Sequence, residues 1–209
     1  AHHMQTPAMI GAAMALRGVL ESSDQPFEIH VIGTPSEESL DGGKNEMAAH
    51  GGFDHIDVAF MVHGSTLTQL ETPSLALIEM DVEFHGKTAH AGIAPYAGRS
   101  AVDAVTMLQT GLGLMRNHLK DSSRVSNIVL AGGTAVNSVP DFAKVKVEIR
   151  HSSMAYLESV EQWTREIAQA AAMATQTQVQ ITPVAHIYNT TINDAMGALL
   201  MECAEKFAC

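Results

Sequence analysis

Two adjacent glutamates follow a short apolar run: Gly33-Thr34-Pro35-Ser36-Glu37-Glu38, after Phe27–Ile32. Neighbouring carboxylates repel unless a cation or proton stands between them. One carboxylate ligating a metal ion while the other handles a proton resolves that cost. A second apolar run, Asp57–Val62, ends at His63, and His2 and His3 precede the first helical segment. Ligands of open α/β sheets bind beyond the carboxyl ends of strands, so the Glu pair and His63 are predicted on one rim. Imidazole with carboxylate suits Zn²⁺, with Mn²⁺ or Co²⁺ as alternatives. The bland alternatives are a pair of solvated loop glutamates and, for His2-His3, the remains of an affinity tag. Further along stand His90 in Gly86-Lys87-Thr88-Ala89-His90-Ala91-Gly92, Asn137 before Ser138-Val139-Pro140, and Arg150 on the wet face of its strand. Nothing in the local sequence ties these three to the Glu pair.

These residues need elements to hold them. Met9, Ala13, Leu16 and Leu20 mark one face of a helix over Met4 to Leu20. Phe27–Ile32, a short helix over Asn45 to His50, and Asp57–Val62 read as strand, helix, strand, which predicts a parallel α/β sheet. From Ala76 the pattern changes to strict alternation. Ile78, Met80, Val82 and Phe84 are apolar, while Glu79, Asp81 and Glu83 between them are acidic. That is a strand with one wet face. A helix over Ser100 to Leu119, strands over Arg124 to Leu130 and Ala143 to Arg150, a helix from Met154 to Ala174 and a strand at Val179 and Ile181 complete a β-α-β-β-α-β series. This is the ferredoxin-like split arrangement. A last helix runs from Asn193 to Phe207. The predicted fold class is therefore α/β: a partial catalytic α/β domain (residues 1–74 and 189–209) with an inserted ferredoxin-like α+β lid or dimerisation domain (75–188).

Composition narrows the function. The chain has 209 residues, 46% of them apolar, enough for a packed core. Twelve Lys and Arg against twenty-three Asp and Glu give a formal charge of −11. That argues against nucleic acid and anionic membranes, which need clustered cations. No apolar run reaches the roughly eighteen residues of a spanning helix. Cys203 and Cys209 make no disulfide framework, which points to a reducing, cytoplasmic setting. No Gly-x-Ser-x-Gly occurs, so a serine hydrolase is disfavoured. No Gly-rich phosphate loop follows a first strand.

Taken together, the segments His2-His3-Met4-Gln5-Thr6, Gly33 to Glu38 with Gly42-Gly43-Lys44, Met61-Val62-His63, Phe84 to Ala91 through Pro95 and Gly98, and Gly132-Gly133 to Pro140 carry a resemblance. The chain resembles the dinuclear metal-dependent amidohydrolases and peptidases that include aminoacylases, carboxypeptidase G and aminobenzoyl-glutamate hydrolase. Within them it is most similar to the aminobenzoyl-glutamate and auxin-conjugate hydrolase branch. The resemblance implies hydrolysis of the amide bond of N-acyl amino acids or aminobenzoyl-glutamate-like conjugates by metal-activated water, with two Zn or Mn ions per site. It implies His2, Glu38 and His63 as metal ligands and Glu37 as general base. His90 would stabilise the oxyanion and Asn137 would bind substrate, both reaching the partner subunit's site in a homodimer formed through the lid. Arg150 would face a substrate carboxylate. Three positions depart from the family pattern. A metal-bridging Cys is expected before Ala1, Ala1 stands where a Gly is expected, and His3 stands where many relatives carry Asp or Asn. A distal His ligand is expected beyond Cys209. Both ends therefore read as cut, and the rival reading is a non-catalytic dimerisation or binding fragment with an incomplete metal site.

Overall fold

The computed structural model describes residues 2–37, 42–69 and 73–207. The chain divides into two compact units: residues 1–71 with 193–209, and residues 72–192.

The second unit is built on alternation. β1 (Ala76–His85), β2 (Arg124–Ala131), β3 (Phe142–His151) and β4 (Gln178–Ile187) form one four-stranded sheet in the order β2-β3-β1-β4. Every neighbouring pair is antiparallel. α3 (Ala101–Met115) joins β1 to β2 and α4 (Met154–Thr175) joins β3 to β4. Both helices begin at side-chain caps: Ser100 accepts from the Asp103 amide and Ser153 from the Tyr156 amide. Such caps satisfy donors that a helix start leaves unpaired. The predicted β-α-β-β-α-β arrangement and mixed α/β class are what the structure shows.

The apolar half of each alternation makes the core. Ile78, Met80, Val82 and Phe84 of β1 and Val145, Val147 and Ile149 of β3 are fully buried with Leu108 and Leu112 of α3 and Leu157 of α4. The two helices cross closely. A Cβ on Gly111 would run into Cγ2 of Ile167, so Gly111→Ala should cost about 1–3 kcal/mol by overpacking. A urea denaturation curve measures that loss.

The polar half faces away from the core and is neutralised by cross-strand pairing. Lys146 Nζ lies 2.7 Å from Glu79 Oε1, and Lys144 Nζ lies 2.7 Å from Asp81 Oδ2 and 2.9 Å from Glu83 Oε1. Glu79 stands directly opposite Glu148, a repulsive register. It is relieved because Glu79 turns to Lys146 while Glu148 takes two bonds from Arg150, at 2.7 and 3.0 Å. The Glu79 side chain is only 7% exposed. Lys146→Ala would strand a buried carboxylate and should cost about 2 kcal/mol, below the roughly 3–5 of a fully buried pair because Lys146 stays partly wet. Hydrogen bonds to Asp81 and Glu83 raise the Lys144 pKa, and the bond to Glu79 raises that of Lys146, both from 10.5. A folded-state pKa above the unfolded one contributes stability that is complete below the unfolded pKa and fades as pH rises through the folded value. Tm should therefore hold steady up to about pH 10.5 and then fall. In Lys146→Ala that alkaline fall should be shallower.

The first unit contains α1 (His2–Leu20), α2 (Gly43–Ala49) and α5 (Asp194–Lys206), the last capped by Asn193 Oδ1 accepting from the Met196 amide. The predicted face of α1 is half-covered: His2, Gln5, Met9 and Ala13 are partly buried at helical spacing, while Leu16 is exposed. The predicted strands Phe27–Ile32 and Asp57–Val62 join no ladder among the described residues. Parallel strands exist only through neighbours that cover both faces. Here Val31, Phe60, Met61 and Val62 are each more than half exposed. Among the described residues no helix is long and apolar enough to cross a membrane.

Candidate metal and oxyanion sites

In the first unit, three residues far apart in sequence meet. His2 Nδ1 lies 3.1 Å from Glu37 Oε2, and His2 Nε2 lies 3.1 Å from His63 Nε2, with the rings edge to face. The start of α1 supplies His2. The bend after Pro35 supplies Glu37, with Ser36 beside it in the left-handed region. Gln5 ties α1 to the segment that carries His63 by donating to Met61 Sδ at 3.9 Å.

The tautomers follow from the outer partners. A carboxylate accepts only, so the proton of a neutral His2 ring sits on Nδ1. His63 Nδ1 lies 2.9 Å from the Gly64 carbonyl oxygen, which also accepts only, so its proton too sits on Nδ1. Both Nε2 atoms of the neutral rings then present lone pairs to each other. Two lone pairs at 3.1 Å repel unless a proton or a cation lies between them. A tetrahedral Zn²⁺ with Zn–N bonds of about 2.05 Å holds its nitrogens roughly 3.3 Å apart, so the pair fits two adjacent positions of such an ion. Histidine ligands are commonly oriented by a carboxylate or carbonyl on the other nitrogen, as both rings are here. Glu38, the third ligand implied by the resemblance, lies outside the described residues. Among the described residues, no group of three or more His, Cys, Asp or Glu is arranged to hold a metal ion.

The second unit brings His90 and Asn137 together through the backbone. Lys87 pairs with Arg99 and His90 with Ser138 as isolated antiparallel bridges. The Ala91 amide donates to Asn137 O at 2.9 Å and the Val139 amide to Ala89 O at 2.9 Å. The loop after β1 is thus zipped to the loop before β3, at the sheet end where His85 faces Phe142. Gly86 makes the close approach possible, because a Cβ there would strike the Arg99 carbonyl oxygen. His90 Nδ1 accepts from the Gly92 amide at 3.2 Å, which leaves the proton of the neutral ring on Nε2 as a donor. His90 and Asn137 are both exposed.

Arg150 is not part of that cluster. It sits opposite Leu77, at the other end of β3 from Phe142, and is held by Glu148. Hydrogen bonding to Glu148 raises its pKa above the usual guanidinium value. Eight residue steps along the strand separate it from Phe142, about 26 Å at roughly 3.3 Å per residue. Sequence reasoning missed the supporting contacts, among them Gly64 on His63, Gly92 on His90 and the Thr88 Oγ1–Ser138 Oγ pair at 3.0 Å. No spacing rule reports a contact across fifty residues.

Residues 76–176 match the family described as "Peptidase dimerisation domain". Over 98% of its length the chain is 33% identical to the Xaa-Arg dipeptidase of Mus musculus, and it spans 48% of that protein. It is 32% identical over 201 residues to one of the p-aminobenzoyl-glutamate hydrolase subunits of Escherichia coli (strain K12), covering 93% of this chain and 42% of that one. Among solved structures it is similar to the aminobenzoyl-glutamate utilization protein from Klebsiella pneumoniae, with a TM-score of 0.65, 28% identity, and coverage of 76% of this chain and 42% of that one. The chain spans about half the length of the curated relatives it matches.

Proposed function

We propose that this chain supplies half of the active site of a metal-dependent amidohydrolase that cleaves N-acyl amino acids, dipeptides or aminobenzoyl-glutamate-like conjugates. The observation that carries this reading is the pair of imidazoles whose Nε2 atoms lie 3.1 Å apart, with Glu37 Oε2 and the Gly64 carbonyl oxygen at their Nδ1 atoms. His2 and His63, with Glu38 as proposed third ligand, would hold a divalent ion, Zn²⁺ or Mn²⁺, and two ions per site are proposed. When bound, the metal lowers the pKa of water and polarises the scissile carbonyl.

The protein groups do the rest. Glu37 takes the proton from the attacking water and passes it to the leaving amine. In this structure its Oε2 lies behind the His2 ring, at Nδ1, so taking that proton requires the carboxylate to turn toward the Nε2 side of the ring. His90 Nε2–H donates to the oxyanion, and Asn137, zipped beside it, binds the substrate's acyl side. Arg150 receives a substrate carboxylate. The test is hydrolysis of N-acyl amino acids and p-aminobenzoyl-glutamate, with added Zn²⁺ or Mn²⁺, by a protein carrying this chain. Turnover that survives exhaustive chelation would refute the reading.

The separation of Arg150 from His90 bears on the quaternary structure. Arg150 lies about 26 Å along β3 from Phe142, at whose end of the sheet the His90 loop begins, and a dipeptide-sized amide at roughly 3.5 Å per residue does not span that length of strand. If both residues serve one substrate, they come from two copies. The sheet edges suggest how copies meet. β4 carries Pro183 and the polar Gln178, Gln180 and Thr182, features that blunt an edge. β2 exposes Ile128, Val129 and Leu130 in succession. We therefore propose a homodimer paired along β2. Ile128→Lys should turn the dimer into a monomer by sedimentation while leaving the far-UV spectrum unchanged. Mixing His90→Ala with Arg150→Ala protein should restore activity at about a quarter of the sites, since a hybrid dimer contains one site with both residues intact. The cytoplasm is the proposed compartment, in keeping with the free thiol of Cys203.

A further inference from the structure

We infer that Arg99 and Gln176 form a tether that sets the position of His90, making both positioning residues for the donor at the oxyanion. This rests on the reading of His90 given above. The Arg99 guanidinium meets no carboxylate among the described residues. Its bonds go to neutral oxygens: Nη1 donates to Tyr96 O at 3.2 Å and to Gly98 O at 2.5 Å, and Nε donates to Gln176 Oε1 at 2.6 Å. Two of these acceptors lie on the His90 loop itself. The third belongs to the residue that ends α4.

The backbone of the same residue closes the loop. Lys87 N donates to Arg99 O and Arg99 N to Lys87 O, both at 2.8 Å. His90 stands three residues beyond that clasp. Gln176 connects it to a fixed point, because Ala171 and Ala172 of the last turns of α4 are buried in the core. Gln176 adopts φ 55°, ψ 38°, the left-handed conformation in which helix ends usually place glycine. A residue with a side chain here accepts backbone strain that glycine would avoid, and that side chain is the one that holds Arg99. An oxyanion donor must sit where charge develops, and a displacement of about 1 Å costs up to roughly 10²-fold in rate.

This conformation gives a variant that separates positioning from folding. Gln176→Gly relieves the backbone and removes the Arg99 acceptor, while Gln176→Glu keeps an acceptor for Arg99. In the chain as it stands, hydrogen exchange of the Ala91 and Val139 amides reads the loop. In a metal-loaded protein carrying the chain, kcat and KM read its consequence. For Gln176→Gly we expect a Tm at or above the parent's. Ala91 and Val139 should exchange about tenfold faster or more. The kcat should fall between about 10- and 10²-fold, with KM little changed, since the lost interaction belongs to the transition state. Gln176→Glu should restore both readouts. Parental exchange and parental kcat in Gln176→Gly would overturn the tether. His90→Ala distinguishes the two levels. If it is inactive while Gln176→Gly is parental, only the tether fails. If His90→Ala retains parental kcat, the reading of His90 fails and the positioning role goes with it.

Discussion

Glu37→Ala should lower kcat by about 10²–10⁴-fold in the metal-loaded protein, the range a positioned acid–base group contributes. Metal content should survive, because Glu37 touches the ring of His2 from behind, through Nδ1, and does not stand between the two Nε2 atoms. Some loss of metal affinity is expected, on the order of 10–100-fold, because a carboxylate behind a ligating histidine orients it. His63→Ala should behave differently. It removes one of the two facing nitrogens, so metal content itself should fall, and turnover with it. Equilibrium dialysis against Zn²⁺ alongside steady-state kinetics separates the two variants. A Glu37→Ala protein with parental kcat would remove Glu37 from the chemistry.

Phe84→Ala should destabilise the second unit by about 3–5 kcal/mol, the usual cost of emptying a fully buried aromatic position. Phe84 is the last inward residue of β1, one position before His85, where the chain turns into the His90 loop. The damage should therefore include exposure of the zipped loops as well as loss of core. Thermal unfolding by circular dichroism measures the first effect. Faster exchange of the Ala91 and Val139 amides measures the second. A Tm within a degree or two of the parent's would contradict the packing described for β1.

The second unit was legible because its strands obey period two so strictly. Ile78, Met80, Val82 and Phe84 against Glu79, Asp81 and Glu83 leave one register possible, since a shift of a single residue would bury the acids. The helix starts read at Ser100 and Met154 lie within a residue of the caps the structure shows at Ser100 and Ser153. The first unit was less legible. Phe27–Ile32 and Asp57–Val62 have the apolar runs of buried parallel strands, yet such runs become strands only when other strands lie beside them. The nearness of Glu37 and His63 was read from the ends of two runs that form no ladder among the described residues, and the role of His2 from resemblance, because sixty-one residues separate the two histidines. Neither the tautomers nor the zipper between the His90 and Asn137 loops follows from composition. Both depend on which carbonyls, Gly64 and Ala89 among them, come near in space.

The most direct test of the account is a Zn²⁺ titration of ¹⁵N-histidine-labelled protein, observed at the imidazole nitrogens. The Nε2 signals of His2 and His63 should move together as the ion is added, while their Nδ1 atoms remain protonated. Signals of His2 and His63 that stay still while the metal binds elsewhere, or that stay still because none binds, would contradict it.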